Sequence, residues 1–415
     1  MINKILQIMR LLNLELKNIG PFIEGNINFI SEEDNIQKPP VTIITGENGT
    51  GKTIIIDAIR GLLLARYKLE RDIIRNDNDF SVSLKYATDN KTEFLFSSSA
   101  KKNQFHLNSY EFRNRFLANQ EEPDATWNWV VDYWTSKLST DSFEVKNLVA
   151  PIPENIYINS LNGIQKNVEV AQLICFFDYL KNSDNNAERE LGIRFFEILK
   201  KIIKLSLIDG EFKYVARTTL KPIVSQTGQE ISLEKLSSGN LYLIQRMVSL
   251  LGKMYSIHIL NKSPLEELCK TQGILLIDEA ENHLHPKWQK TFIQSIQEIF
   301  PNLQLIVTTH SPFIVSSVEN AKIFVCHSKG DHAEITDETD IYSNKPVEEI
   351  LLSPLFGVTH PFNQNITELL QKRKSAINAK DEVQKTKIEK ELKEINPQYF
   401  NFLNIDNILG EITSE

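Results

Sequence analysis

Cysteine is scarce in the 415-residue chain: Cys175, Cys269 and Cys326 stand far apart, with neither a CxxC pair nor a Cys/His spacing suited to zinc. That excludes a disulfide scaffold and a zinc finger, and fits a reducing compartment. Long apolar runs are missing as well. No stretch approaches eighteen apolar residues, so no membrane span is read. The start, Met1–Leu12, is apolar in cast (Ile5, Leu6, Ile8, Leu11) but lacks the long apolar region and small-residue cleavage site of a signal peptide. A cytoplasmic protein with no membrane partner is expected. Positive charge is outweighed too: 46 Lys and Arg face 54 Asp and Glu, for a net charge of −8. No global field draws such a chain onto nucleic acid, and any DNA contact needs a local basic patch.

What is present is ordinary for a folded chain. Hydrophobic residues make up 41% and charged residues 24%, which marks neither disorder nor collagen. The length fits two or three structural units. Two short strands, Leu12–Leu16 and Ile27–Phe29, flank the turn Asn18-Ile19-Gly20-Pro21, and a third, Val41–Thr45, runs into a glycine-rich loop. Apolar spacing from Thr53 to Arg66 predicts a helix buried on most sides. Alternation from Ser81 to Phe96 around Asp89-Asn90 predicts an antiparallel hairpin. The aromatics between Ser109 and Ser142 (Trp127, Trp129, Tyr133, Trp134) read as core packing. Ala171–Leu207 reads as two helices split at Asn182–Asn186, and Phe212–Ile223 as one strand. Gly273–Ile277 and Leu303–Thr308 are apolar runs of parallel-strand type, with one helix, Lys287–Phe300, between them. Ile366–Ile395 carries eight Lys or Arg and six Asp or Glu among sparse apolar positions, as a solvated helical pair would.

Four short segments carry chemistry. Gly46-Glu47-Asn48-Gly49-Thr50-Gly51-Lys52-Thr53 fits GxxxxGK[ST]: backbone N–H groups cradle phosphates, Lys52 reaches their outer oxygens and Thr53 binds Mg²⁺. With sixteen glycines in the chain a chance match is on the order of one in a hundred. Gly273–Ile277 ends in Asp278-Glu279, a strand presenting two carboxylates. Asp278 is placed to hold Mg²⁺, and Glu279 to orient or deprotonate an attacking water. Leu236-Ser237-Ser238-Gly239-Asn240 precedes an apolar helix, so Ser237 and the Gly239 amide stand at a helix N-terminus suited to phosphate. Thr308-Thr309-His310-Ser311 sets a histidine at the end of the next strand. His283 and His285 alternate without a third ligand in view, a poor zinc site, and read as packing or interface residues.

In this order, and with the Asn-x-Gly-Pro-Phe turn and the string Asp278-Glu279-Ala280-Glu281-Asn282-His283-Leu284-His285-Pro286, the chain resembles the RecF/SMC/OLD-like branch of ABC ATPases, most of all the Septu anti-phage ATPases. The resemblance covers residue 1 to about 330. It implies an α/β ABC-type P-loop head: a mixed sheet with flanking helices and an antiparallel β layer, plus a helical insertion and a helical C-terminal extension. The implied divisions are 1–100 with Walker A, 101–170 as insertion, 171–330 with signature, Walker B and switch histidine, and 331–415 as extension and partner-docking region. It further implies ATP and Mg²⁺ as ligands, His310 as sensor of the γ-phosphate, and a homodimer or higher oligomer. In that dimer Ser237, Ser238 and Gly239 of one copy face the nucleotide of the other.

About 180 residues separate Lys52 from Leu236, too few for the long arms of SMC proteins. No acid cluster of nuclease type follows Val325, so cutting of nucleic acid is expected of a partner nuclease that the ATPase controls. A RecF-like clamp on duplex DNA and a nucleotide-locked structural module are the alternatives. The glutamine that completes the Mg²⁺ shell in such heads is unassigned, with Gln104, Gln120 and Gln165 as candidates.

Overall fold

The computed structural model describes residues 9–64, 73–75, 79–88, 91–98, 100–101, 104–109, 129–153, 163, 166–207, 209–356 and 362–403. β1 (Met9–Ile19) turns at Gly20-Pro21 into β2 (Phe22–Asn28), and the two pair antiparallel. β3 (Thr42–Gly46) reads Thr-Ile-Ile-Thr-Gly and is buried at every position, as a parallel strand covered on both faces must be. The phosphate-loop motif follows directly and leads into α1 (Lys52–Leu64). β4 (Ser81–Thr88) and β5 (Lys91–Ser97) form the expected hairpin, with β4 also pairing β1. β6 (Ala100–Lys101) and β7 (Gln104–Phe105) make a two-residue pair, and β8 (Trp129–Trp134) follows.

Two helices come next, α2 (Asn167–Lys181) and α3 (Asn186–Ser206), broken where the polar stretch places them apart. Asn185 caps the second by accepting from the amides of Ala187 and Glu188. The single strand expected at Phe212–Ile223 is instead two: β9 (Gly210–Ala216) and β10 (Lys221–Gln226) pair antiparallel, with β11 (Gln229–Ser232) completing a three-stranded sheet. Leu220 takes a left-handed φ of 51° at the turn between them, a conformation that apolar periodicity does not announce. α4 (Ser238–Asn261) then leads to β12 (Gln272–Ile277). The helix expected at Lys287–Phe300 is broken into α5 (Pro286–Gln289) and α6 (Phe292–Ile299). Gln289 at the break turns its amide onto the Leu284 carbonyl, 2.8 Å away. β13 (Leu303–Thr308), α7 (Pro312–Val315), β14 (Lys322–Lys329) and β15 (His332–Asp337) complete the head.

The large sheet has ten strands in the order β5-β4-β1-β2-β15-β14-β3-β13-β12-β8. From β14 to β8 every pairing is parallel, and β5, β4, β1 and β2 are joined antiparallel, so a parallel P-loop core continues into an antiparallel layer. This is the mixed sheet expected of an ABC-type head. β8 lies within the span expected as an insertion and forms the edge next to β12. The aromatic run read as core packing supplies it: Tyr133 and Trp134 are buried, while Trp127 lies outside the described residues. Among the described residues no helix is long and apolar enough to cross a membrane.

Buried charges tie α4 to β8. Lys253 pairs with Asp132, their side chains 4% and 0% exposed, and Asp132 also accepts from the Trp134 indole at 2.9 Å. Removing one partner strands the other. Asp132→Ala is expected to lower unfolding free energy by about 3–5 kcal/mol, and the apolar pair Asp132→Leu/Lys253→Met to recover most of it, as read by denaturant titration.

Residues from Leu351 onward form a second compact unit. Its charged segment folds as the expected helical pair, α8 (Gln364–Asn378) and α9 (Glu382–Ile395). Ile366, Leu369, Ile388, Leu392, Phe400 and Leu403 make its core, and a largely buried Arg373–Glu389 pair at 2.8 Å crosses between the helices.

Candidate active site

The loop between β3 and α1 is built against the N-terminal turn. Gly51 has φ of +95°, and a Cβ there would lie 2.5 Å from Pro21 and 2.8 Å from the Phe22 ring. The Asn-x-Gly-Pro-Phe turn therefore backs the phosphate loop. Inside the loop, Thr50 Oγ1 donates to the Glu47 carbonyl at 2.9 Å. Lys52 is 5% exposed, and its ammonium donates to the carbonyls of Gly46 at 3.0 Å and Glu47 at 2.7 Å. Burial draws its pKa below the ordinary lysine value; the Cys326 thiol and the carboxylates of Glu281, Glu279 and Asp278 act against that. A buried ammonium held on the carbonyls of the loop, with no carboxylate among the described residues in hydrogen-bond contact, is poised for an anion.

At the second residue of α1, Thr53 Oγ1 donates to Asp278 Oδ1 at 3.0 Å, and Thr308 Oγ1 donates to the same oxygen at 2.7 Å. Walker A and Walker B are thus in direct contact. Burial pushes the Asp278 carboxyl above its usual range, while the two threonine hydroxyls pull it back. A hydroxyl beside a carboxylate is a hard oxygen pair that fits Mg²⁺, which commonly takes one or two protein ligands and fills the rest with water and phosphate oxygens. No group of three or more His, Cys, Asp or Glu that could hold a metal occurs among the described residues.

Glu279 follows with a left-handed φ of 52°, a strained conformation of the sort that persists only when its surroundings enforce it. Thr308 does so: its Oγ1 accepts from the Glu279 amide at 2.9 Å and its carbonyl from the Ala280 amide at 3.0 Å. Asn282 donates to Glu279 Oε2. On the other side the Asp278 amide donates to the Trp134 carbonyl at 2.9 Å. At the end of β13, the Thr309 amide donates to the Ile44 carbonyl of β3 at 3.0 Å, which sets His310 beside the phosphate loop. Burial lowers the His310 pKa and the Lys52 charge adds to that, while Glu281, Glu279 and the Gly46 backbone oppose it. Lys52, Thr53, Asp278, Glu279 and His310 are brought together.

Ser237, Ser238 and Gly239 are not brought to that cluster by any hydrogen bond among the described residues. Ser237 accepts from the Asn240 amide at 3.4 Å as the cap of α4, and both serines are exposed. Gly239 is buried instead, and a Cβ there would lie 2.2 Å from the His283 carbonyl oxygen. His283 in turn donates from Nε2 to the Ser136 carbonyl at 3.1 Å, and His285 caps α5 by accepting from the Lys287 amide at 3.3 Å. Both histidines are exposed, each tied to the backbone by one hydrogen bond.

Three contributions went unread in the sequence. Thr308 props Walker B. Glu281 bonds Thr309 and His310. The strand end beside Asp278 is that of β8, which continues as Thr135-Ser136-Lys137 with no glutamine. Arg246 of α4 holds this stretch by donating to the carbonyls of Thr135 at 2.9 Å and Lys137 at 2.7 Å. Of the expected glutamines, Gln104 falls in the small β6-β7 pair, and Gln120 and Gln165 lie outside the described residues.

A family model described as an AAA domain, putative AbiEii toxin, Type IV TA system, matches residues 41–316. The chain belongs to this AAA-domain family. Proteins similar to the chain include the Retron Vc95 probable ATPase of Vibrio cholerae, 31% identical over 74% of this chain and 52% of that one. The Septu protein PtuA of Bacillus thuringiensis is 25% identical over 73% of this chain and 72% of its own length. Endonuclease GajA of Bacillus cereus is 23% identical over 73% of this chain and 47% of that one. The chain thus spans about half the length of the Vc95 ATPase. Among solved structures it is similar to the SMC head domain from Thermotoga maritima, with 16% identity, a TM-score of 0.43, and coverage of 79% of this chain and 98% of that one. Gly46–Thr53, Leu236–Asn240, Asp278-Glu279 and His310 all fall within the 41–316 span of the AAA-domain match.

Proposed function

We propose that the chain is the ATP-hydrolysing subunit of an anti-phage defence complex, working in the cytoplasm as a head-to-tail pair that controls a partner nuclease. The observation that carries the ATPase reading is the contact of Thr53 and Asp278 under a buried Lys52. The loop Gly46–Thr53 holds the phosphates, Thr53 and Asp278 hold Mg²⁺, Glu279 takes the proton of the attacking water, and His310 senses the γ-phosphate. Bound between Thr53 and Asp278, Mg²⁺ would supply charge neutralisation for the phosphates. Two exposed serines at the head of a 24-residue helix, unattached to their own loop, supply the reason for a second copy. They meet the nucleotide held by the partner, and the helix N-terminus adds its positive end. The relatives named as a retron ATPase, as Septu PtuA and as endonuclease GajA support the defence setting and a nuclease in the complex.

Light scattering tests the pair. Mass is expected to double when ATP and Mg²⁺ are added, and Ser237→Arg, at an exposed position, to leave the fold intact and block the doubling. Purification with the products of neighbouring genes tests the partner. Co-elution of a nuclease is expected; a bare dimer that instead binds duplex DNA with steep salt dependence would replace the defence reading by a RecF-like clamp.

A further inference from the structure

We propose that Glu281 is a positioning residue that sets the place of the His310 imidazole, an inference that rests on the ATPase reading of the site. Its two carboxylate oxygens are divided between adjacent residues of one turn. Oε2 accepts from Thr309 Oγ1 at 2.6 Å and Oε1 accepts from the His310 amide at 2.7 Å. A two-point, charge-assisted contact fixes orientation as well as distance, and such bonds are roughly twice as strong as neutral ones. Thr309 is fully buried, so its hydroxyl requires an acceptor, and its amide is already committed to Ile44 of β3. The His310 peptide is therefore held from two sides, by the strand that leads into the phosphate loop and by the carboxylate that follows Walker B.

Glu281 does not duplicate Glu279. The Glu279 carboxylate is held by Asn282, one side chain of its own segment, whereas both Glu281 oxygens are engaged by the β13 terminus. Glu281 also belongs to the short segment whose His283 carbonyl abuts Gly239 of the signature turn. A shift of that turn has a direct mechanical route to His310, through two residues of backbone and one carboxylate.

The test is steady-state ATP hydrolysis by wild type, Glu281→Ala, Glu281→Gln, His310→Ala and the double variant Glu281→Ala/His310→Ala, with thermal midpoints alongside. Glu281→Ala is expected to lower kcat about 10- to 100-fold with KM within about threefold, the mark of an interaction felt in the transition state. Glu281→Gln, whose amide oxygen still accepts from the His310 amide, is expected to stay within about fivefold of wild type. The double variant is expected to be no slower than His310→Ala alone, because a residue acting through another shows no independent effect in a double-mutant cycle. Additive losses, or a Glu281→Gln as slow as Glu281→Ala, would overturn the proposal in favour of a plain stabilising contact or a proton-transfer role. If Glu281→Ala does not fold, Thr309→Val removes half the contact and takes its place in the same cycle with His310→Ala. A wild-type protein with no turnover at all would instead sink the ATPase reading beneath it.

Discussion

Glu279→Gln is expected to cut ATP turnover by about 10²- to 10⁴-fold, the usual contribution of a positioned general base, while ATP binding is retained. The substitution changes little else. Thr308 holds the backbone at residue 279 through amide contacts that any side chain leaves in place, and glutamine still accepts from Asn282. Lys52, Thr53 and Asp278 are untouched, so the nucleotide is held but not consumed, and the ATP-bound pair accumulates. Phosphate release and fluorescent-nucleotide binding, measured on the same preparation, separate the two effects. A turnover unchanged by this substitution would mean that the nucleotide acts as a lock, its binding alone driving the cycle.

Asp278→Asn is expected to abolish turnover and at the same time make the ligand-free protein harder to melt. Burial raises the Asp278 pKa above that of an unfolded aspartate, near 3.9. As pH rises through the interval between the two values, the unfolded chain ionises first, so the folded state is penalised and remains so at neutral pH. Asparagine removes that penalty and still accepts from Thr53 and Thr308. With chelator and no nucleotide, the midpoint of thermal unfolding should rise by roughly 2 °C at pH 7, the equivalent of about 1 kcal/mol, and the difference should vanish as pH falls below about 4. Turnover should drop about 10²-fold or more, since a bound metal contributes several kcal/mol of charge stabilisation. A variant that is both inactive and less stable would show that Asp278 stabilises the fold, contrary to its buried, raised state.

These effects trace to motifs legible in the sequence because each is contiguous: the glycine loop, the strand ending in two acids and the strand ending in histidine each carry their chemistry within a few residues. The structure adds what contiguity cannot encode. β8 and β12 pair across about 140 residues of chain, Trp129 opposite Gln272, so nothing local marks the Thr135–Lys137 stretch as the neighbour of Asp278. Glu281 looked like one acid among several in an acidic string until the fold carried Thr309 to it. The β9–β10 turn has no local signal because a left-handed Leu220 breaks a run that apolar spacing treats as one strand. The single helix expected at Lys287–Phe300 runs across the break because the segment keeps helical spacing, while Gln289 satisfies a backbone carbonyl instead.

The strand that leads into the phosphate loop has β13 and β14 as its two neighbours in the sheet, and both come from the far end of the head. During synthesis, β3 emerges with neither of them in existence. Between Gly46 and Lys329 the ribosome has 283 further residues to add, about 15–60 s of elongation at ordinary rates. For that interval a five-residue strand that the fold buries at every position has both edges bare, and unpaired strand edges of this kind are prone to aggregate. The phosphate-loop strand therefore gains its sheet neighbours only late in synthesis. A chain interrupted after Thr53 and before β13 carries an intact phosphate-loop sequence whose strand has neither of its sheet neighbours.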